Sequence, residues 1–264
     1  MSSNALSLET VKKAFVGNPQ DIEGKLSGML PQASGLEDQT IYIVALSKIA
    51  LAQAMQKNFE KARETLKRAE KAIVPEGHLA KASVMLEKAR IFHQEEDLES
   101  ALPLYEEVYR FCLSHKLDQE AIDAAHMVAI VAKTPLEKIA WNQLAIDLAK
   151  RSKDSNARAW LGSLHHNLGQ FLIEAGRYEE ALGAFTKAVE FRKQEGYAPN
   201  LLMTKWGVAR ALRFLHRPKE ALEILTAIKQ EFENLREKNS DLPPEAFSIA
   251  ADLIDIELTE AKKL

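Results

Sequence analysis

The sequence predicts an all-α fold, an α-α superhelix of about five helix pairs with capping helices at both ends. Three observations carry this expectation. First, the stretch Gly162 to Lys193 alternates small residues (Gly169, Ala181, Ala188) with large apolar ones (Leu168, Leu172, Tyr178, Phe185). Helices pack closely only where one offers a small residue to the other's bulk, so this alternation marks a seam. Second, the small position recurs at Ala62, Ala101, Ala181 and Ala221, with Ile139 in the same place of a weaker copy. Successive intervals are 39, 38, 42 and 40 residues. Third, turn signals split each copy in two, as Gly176 does after a helix ending near Ala175.

The elements follow in order. Residues 1–35 read as N-terminal capping helices or an arm. Leu8, Val11 and Phe15 suit one short helix, stopped by Gly17-Asn18-Pro19. Ile22, Leu26, Met29 and Leu30 suit another, stopped by Pro31. The first pair, 36–77, has a long helix from Leu36 to Gln56, a break at Asn58 and a partner from Phe59 to Ala72, ended by Pro75 and Gly77. Phe59, Ala62, Leu66 and Ala69 repeat the spacing of Tyr178, Ala181, Phe185 and Ala188, and Ala50 falls where Gly169 falls.

The second pair, 78–116, has Met85 and Ala89 on its first helix and Leu98, Ala101, Tyr105 and Val108 on its second. Pro103 is expected within a first turn, where a missing N–H costs least. The third, 117–152, is the weakest: Glu120 to Ala132 is helical, and Thr134-Pro135 is a cap followed by a helix-starting proline. Trp141 fills space between neighbouring copies. The fourth, 155–196, adds a helical extension over Asn156 to Leu161. The fifth, 198–240, pairs Lys205, Val208, Ala209 and Leu212 with Ala221, Leu225 and Ile228 across Arg217-Pro218. Residues 241–264 hold Pro243-Pro244 and a final capping helix, about Glu245 to Lys262, which shields the last pair.

Composition bounds the chemistry. The 264 residues are 46% hydrophobic and 28% charged, which suits a helical core. A formal net charge of −3 gives no bulk electrostatic case for nucleic acid or an anionic membrane. Cys112 is the lone cysteine, so no intramolecular disulfide forms and a reducing compartment fits. Residues 1–9 lack a basic segment leading into an apolar run, and no apolar stretch reaches about 18 residues. A cytoplasmic location is therefore expected. There is no phosphate loop, nucleophile elbow or His-Glu-x-x-His, and Glu95-Glu96-Asp97 lacks the glycine of a calcium loop. His165 and His166 point about 100° apart on a helix, which is poor for one metal ion, and His165 reads as a satisfied core imidazole. Lys61, Arg63, Lys67, Arg68 and Lys71 interleave with Glu60, Glu64 and Glu70, which reads as a solvated face. No catalytic residue, cofactor or metal is expected.

Leu168-Gly169, Leu172, Gly176, Tyr178, Ala181, Phe185 and Ala188 together resemble the tetratricopeptide repeat (TPR), a helix–turn–helix unit of about 34 residues. The longer copies here resemble the peptide-binding repeats of bacterial response-regulator phosphatases, kinesin light chains and mitotic-orientation adaptors. The resemblance implies that first helices line a concave wall, with repeat positions two, five, nine and twelve facing the groove. In the first pair these would be Val44, Ser47, Leu51 and Ala54, and in the third Ala121, Ala124, Val128 and Val131, both largely apolar. The second pair would place Ser83, Leu86, Arg90 and His93 there. The fourth would place Ser163, His166, Gln170 and Ile173, and the fifth Met203, Trp206, Arg210 and Arg213.

Arg90, His93, His166, Gln170, Trp206, Arg210 and Arg213 are thus the candidate partner-binding residues. Guanidinium groups beside an aromatic ring suit a carboxylate with an apolar neighbour. The expected function is a non-catalytic adaptor or scaffold that binds a protein or peptide segment, acidic at one end. Ser47 and Leu51 stand where a chaperone-tail clamp of this family needs Lys or Asn, which argues against that clamp. The final helix, with Asp252, Asp255 and Glu257, is the competing claimant on Arg210 and Arg213. Two other readings stay open: a regulator whose superhelix changes compactness on binding, and an accessory subunit dimerising through Leu51, Met55 and Val128. The oligomeric state is open as well.

Overall fold

Residues 6–35, 39–196, 198–238 and 254–263 are described by the computed structural model, and among them there is helix and no strand. The chain divides into two compact units, Met1–Val131 and Ala132–Leu264. The first holds α1 (Leu8–Ala14), α2 (Pro19–Ser34), α3 (Thr40–Met55), α4 (Phe59–Lys71), α5 (His78–Gln94), α6 (Leu98–Ser114) and α7 (Asp118–Val131). The second holds α8 (Pro135–Arg151), α9 (Ser155–Arg158), α10 (Leu161–Glu174), α11 (Tyr178–Glu195), α12 (Ala198–Phe214) and α13 (Pro218–Lys238). Residues 254–262 are helical again. In the first unit α3 packs on α2, α4 and α5, and α6 on α5 and α7. In the second, α10 packs on α8 and α11, and α12 on α11 and α13. The division falls inside the stretch 117–152. Leu36, Pro243-Pro244 and the expected helix start at Glu245 lie outside the described residues.

Five reversals share one turn. In each, an N–H reaches back to the carbonyl five residues earlier: Asn58 to Gln53 (3.0 Å), Asp97 to Phe92 (3.0 Å), Leu117 to Cys112 (2.9 Å), Arg177 to Leu172 (2.8 Å) and Arg217 to Leu212 (2.9 Å). The residue before each donor is left-handed: Lys57 (φ 63°), Glu96 (64°), Lys116 (57°), Gly176 (71°) and His216 (55°). This closure satisfies the orphan carbonyls of the outgoing helix. The closing residue's own carbonyl then accepts the N–H of Ala62, Ala101, Ala121, Ala181 or Ala221. All five alanines are fully buried. The recurrent small residue therefore sits one turn into each returning helix, where that helix must stay close to its partner. The α6–α7 reversal, at the entrance to the third copy, uses the same closure and so adds Ala121 to the small positions. Ile139, the expected position on the second helix of that copy, is half-buried on α8.

Phe185 shows how tight the seams are. Its ring, fully buried on α11, lies between α10 and α12. A Cβ added at Gly169 would stand 2.6 Å from Phe185 Cε1, and one added at Gly207 would stand 2.5 Å from it. Two glycines on two helices thus make one aromatic slot.

Both prolines sit differently from expectation. Pro31 does not stop α2, which runs on to Ser34, and Pro103 is the sixth residue of α6, beyond its first turn. Each proline is exposed, so the lost backbone hydrogen bond lies on the solvent side, where water replaces it. The extension over 156–161 is a separate one-turn helix, α9, ahead of α10. The start at Thr134-Pro135 holds: Thr134 Oγ1 accepts the Glu137 N–H (3.2 Å), and the Glu137 carboxylate accepts the Thr134 N–H (3.0 Å).

His165 is buried and stacks on Phe191 (5.7 Å), but its Nδ1 has no hydrogen-bond partner, so it is a core imidazole without being a satisfied one. His166 Nδ1 lies 3.2 Å from Thr204 Oγ1, and its ring meets Phe185 edge-on. Burial holds both imidazoles down to about 4, aided by Lys150 and Lys187 at His165 and by Arg192 at His166.

Lys57→Gly, Glu96→Gly and Lys116→Gly should each raise stability in urea denaturation by about 1 kcal/mol, because glycine carries no left-handed penalty. A loss at all three would contradict the shared turn. Gly207→Ala should cost about 1–3 kcal/mol although alanine favours helix by about 1 kcal/mol, and Phe185→Leu in the same chain should recover part of it. The neutral histidines make stability pH-dependent. Between about pH 6.5 and 4 the unfolded chain binds more protons, so stability is full above that window and falls as pH drops through it. The melting temperature of the His165→Gln/His166→Gln chain should fall less steeply there than that of the parent.

Candidate functional site

In the first unit the wall positions of α3, α5 and α7 are largely closed to solvent: Ser47, Ala121, Ala124 and Val128 are fully buried. A polar ladder joins these helices. Lys48 of α3 donates to Glu87 Oε1 of α5 (2.5 Å), and Arg90 donates to the same oxygen (2.9 Å) and to Asp123 Oδ1 of α7 (2.6 Å). The Ser47 and Ser83 hydroxyls meet at 2.8 Å. Glu87 is fully buried, a state costing several kcal/mol without cations beside it. Its Oε2 has no hydrogen-bond partner. Burial works against the Arg90 charge, but Asp123 and Glu87 outweigh it and hold the guanidinium pKa above its usual value. His93 meets Tyr105 edge-on at 6.5 Å, and burial, then Arg90, pull its pKa down.

Arg90 and His93 are therefore neighbours, but the Arg90 charge is already met inside the unit. Lys48, Glu87 and Asp123 were not singled out from sequence. The signal was available: Lys48 and Glu87 are one repeat interval apart, and Glu87 and Arg90 share a helix face.

In the second unit four predicted residues converge. Arg210 donates to Gln170 Oε1 (3.0 Å), and its guanidinium lies 5.4 Å from the Trp206 ring and 5.8 Å from Phe214. Arg213 lies 4.3 Å from the Phe214 ring, which stacks on Tyr178 at 4.7 Å. Into this cluster comes Glu257 from the helical stretch 254–262. Arg213 grips it with Nε to Oε2 (2.6 Å) and Nη2 to Oε1 (3.2 Å), and Arg210 Nε stands 3.6 Å from Oε1. Glu257 is only 5% exposed, whereas the Arg210 side chain keeps 30% of its surface in water. A forked, shielded carboxylate–guanidinium pair is the strong form of this interaction. His166 sits one turn before Gln170 on α10 and faces Thr204 of α12 rather than the cluster. Asp255 pairs with Lys229 (2.7 Å), and Asp252 lies outside the described residues.

Two cations, aromatic faces and an amide can hold a carboxylate. Among the described residues no three His, Cys, Asp or Glu side chains gather to hold a metal ion. Cys112 is buried, and burial pushes its thiol up to about 12, so it stays protonated. No described helix is long and apolar enough to cross a membrane.

The tetratricopeptide repeat family model matches residues 41–114 and 160–227, more than half of the chain. No curated protein matches it. Solved structures do. The apo form of RapI aligns with a TM-score of 0.67 at 16% identity, over 97% of this chain and 72% of RapI. BtubC (BKLC) from P. vanneervenii gives 0.67 at 15% identity, over 87% of this chain and 95% of its own. A putative kinesin light chain from Podosopora anserina, with nearly identical TPR-like repeats, gives 0.59 at 16% identity, over 78% and 100%. At such identities the likeness is one of fold. Helix pairs closed by one recurrent turn, four of whose five instances fall in the two matched regions, lead to one conclusion: this chain belongs to the tetratricopeptide repeat family.

Proposed function

We propose that the chain is a non-catalytic protein-interaction module, an adaptor or scaffold that holds an acidic segment of a protein partner against α10 and α12. TPR proteins in general use their stacked helices as binding surfaces. The observation that carries the narrower reading is the seat of Glu257. A helical segment presents one glutamate to Arg210 and Arg213 while Ile254, Leu258 and Ala261 pack into the α12–α13 core. That resident segment displays the chemistry this wall accepts: a carboxylate on a helix, with apolar residues a turn to either side. Gln170 and Trp206 complete the seat, and His166 fixes α10 against α12 through Thr204. Arg90 and His93 contribute less in this reading, because Glu87 and Asp123 already take the Arg90 charge.

The test is competition. A full chain carrying Ile254→Asp and Glu257→Ala loses the resident contacts. It should bind a fluorescent peptide of residues 254–263 about tenfold more tightly than the parent chain, whose own segment competes. Adding Arg210→Ala and Arg213→Ala should remove that binding, and added salt should weaken it. Binding indifferent to both arginines, or no binding to the released chain, rejects the acidic-segment reading.

A further inference from the structure

Helix α8 shows water an apolar stripe where the second helices of the other pairs show charge. It packs on α10, burying Asn142, Ala145, Ile146 and Ala149 completely, and Asn142 Nδ2 donates to the Leu164 carbonyl (2.8 Å). Those four have the spacing of the buried Ala62, Thr65, Leu66 and Ala69 on α4, so second helices can be compared position by position. At about 100° per residue, Leu136, Ala140 and Leu144 lie on the opposite side of α8. All three are exposed, Leu136 at 68% and Leu144 at 44%. Counted from the buried set, the place of Ala140 is held by Glu60 on α4, Glu99 on α6, Glu179 on α11 and Lys219 on α13, each exposed. The place of Leu144 is held by Glu64, Pro103, Gly183 and Glu223. A single exposed leucine is ordinary, but an apolar line along a face that is charged in the sister helices marks a contact surface.

The face also has a pattern that reads alike from both ends. Leu136 and Leu144 stand four residues before and after Ala140. Lys133, just ahead of the Thr134 cap, and Asp147 stand seven before and after it, both exposed and of opposite sign. Turned end for end, such a face complements itself. A second copy of α8 laid antiparallel across Ala140 sets Leu136 beside Leu144 of the other copy and Lys133 opposite its Asp147, each contact made twice. The small alanine at the crossing lets the two backbones approach. A parallel copy would set lysine on lysine and aspartate on aspartate. Within the chain, Asp147 accepts from Gln143 (2.9 Å), a donor that brings no charge, and the Glu137 carboxylate near Lys133 is already bonded to Thr134.

We propose that the exposed face of α8 is a dimer interface for a second copy of this chain, with the two α8 helices antiparallel about a two-fold axis at Ala140. The surface lies on a different helix from the Glu257 seat and does not depend on it. One helix pair buries less than the roughly 1,200 Å² of a standard interface, so the dimer is a weak, reversible one.

Sedimentation of the full chain from about 5 to 500 µM reads this directly. The parent chain should pass from monomer to dimer over that range. Leu136→Glu with Leu144→Glu should leave it monomeric throughout, with an unchanged melting temperature at low concentration, because both side chains face water in the monomer. Lys133→Asp should weaken the dimer about tenfold, and adding Asp147→Lys should restore it to within about threefold. Register has its own readout, since the native Cys112 is buried. Under mild oxidation Ala140→Cys, on the axis, should cross-link to its own copy, whereas Asp147→Cys, about 10 Å along the helix, should not. A parent chain monomeric at every concentration assigns the stripe to some other cover and overturns the proposal. A dimer that survives the L136E/L144E pair, a charge swap no tighter than K133D alone, or D147C cross-linking as readily as A140C overturns it equally.

Discussion

A single backbone hydrogen bond, from the residue after each left-handed position to the carbonyl five residues back, sets the terms for everything else in these helix pairs. It reverses the chain within three residues and satisfies carbonyls that the outgoing helix would otherwise leave bare. A reversal that short allows the returning helix one approach. It must leave close to the helix it has just quit, and the residue one turn in must be small. Ala62, Ala101, Ala121, Ala181 and Ala221 meet that demand. The left-handed residue, by contrast, is glycine at one of the five turns, and the exposed Lys57, Glu96, Lys116 and His216 hold the other four. Close packing is enforced strictly, and backbone strain of about a kcal/mol per turn is tolerated.

Once the pairs are fixed, successive first helices stand side by side and must agree on charge. Within each unit they do so through short ladders. Lys48, Glu87, Arg90 and Asp123 balance one another across α3, α5 and α7. Gln170, Arg210, Arg213 and Glu257 link α10 and α12 to the stretch 254–262, with two guanidiniums on one carboxylate. Ladders of this kind add little net stability, because desolvation consumes most of the Coulomb gain. Their effect is on register: a helix shifted by one residue would leave Glu87 or Glu257 buried without its cation. In the proposed reading, the groups that recognise a partner are the same ones that hold neighbouring helices in line, so one set of side chains serves twice.

This double use explains which parts were legible in the sequence. The alternation around Gly169, Tyr178, Ala181 and Phe185 reads clearly because packing volume leaves its mark on residue size at a fixed spacing. Gly207 was missed although it completes the Phe185 slot, because it lies off the register of the aligned small positions and answers to a ring on another helix. Ala121 escaped notice for a related reason. Alignment by period assumes one close reversal per copy, while α6 reverses tightly at both ends and so adds a small position on α7. Pro31 and Pro103 misled because sequence gives proline's cost but not which side of the helix bears it. At the site, the groove positions implied by the tetratricopeptide resemblance picked out Trp206, Arg210 and Arg213, and Glu257 was one of three candidate acids. Choosing among them needed the geometry of the terminal segment.

Each unit lays a terminal helical segment against its own wall, and the two are held differently. Helix α1 rests on α2 and α3 through apolar residues, and 254–262 is gripped by a fork. A finite array of pairs has to cover its last apolar face, so some terminal helix is required whatever the protein does. Covering alone asks for apolar residues and nothing more. A helix chosen for coverage would not bury a carboxylate against two guanidiniums, since an apolar residue of similar size would serve as well or better. The buried Glu257 is a departure from good coverage, bound by more polar contact than a cap needs. A departure of that kind is expected where a surface answers to a second requirement besides stability.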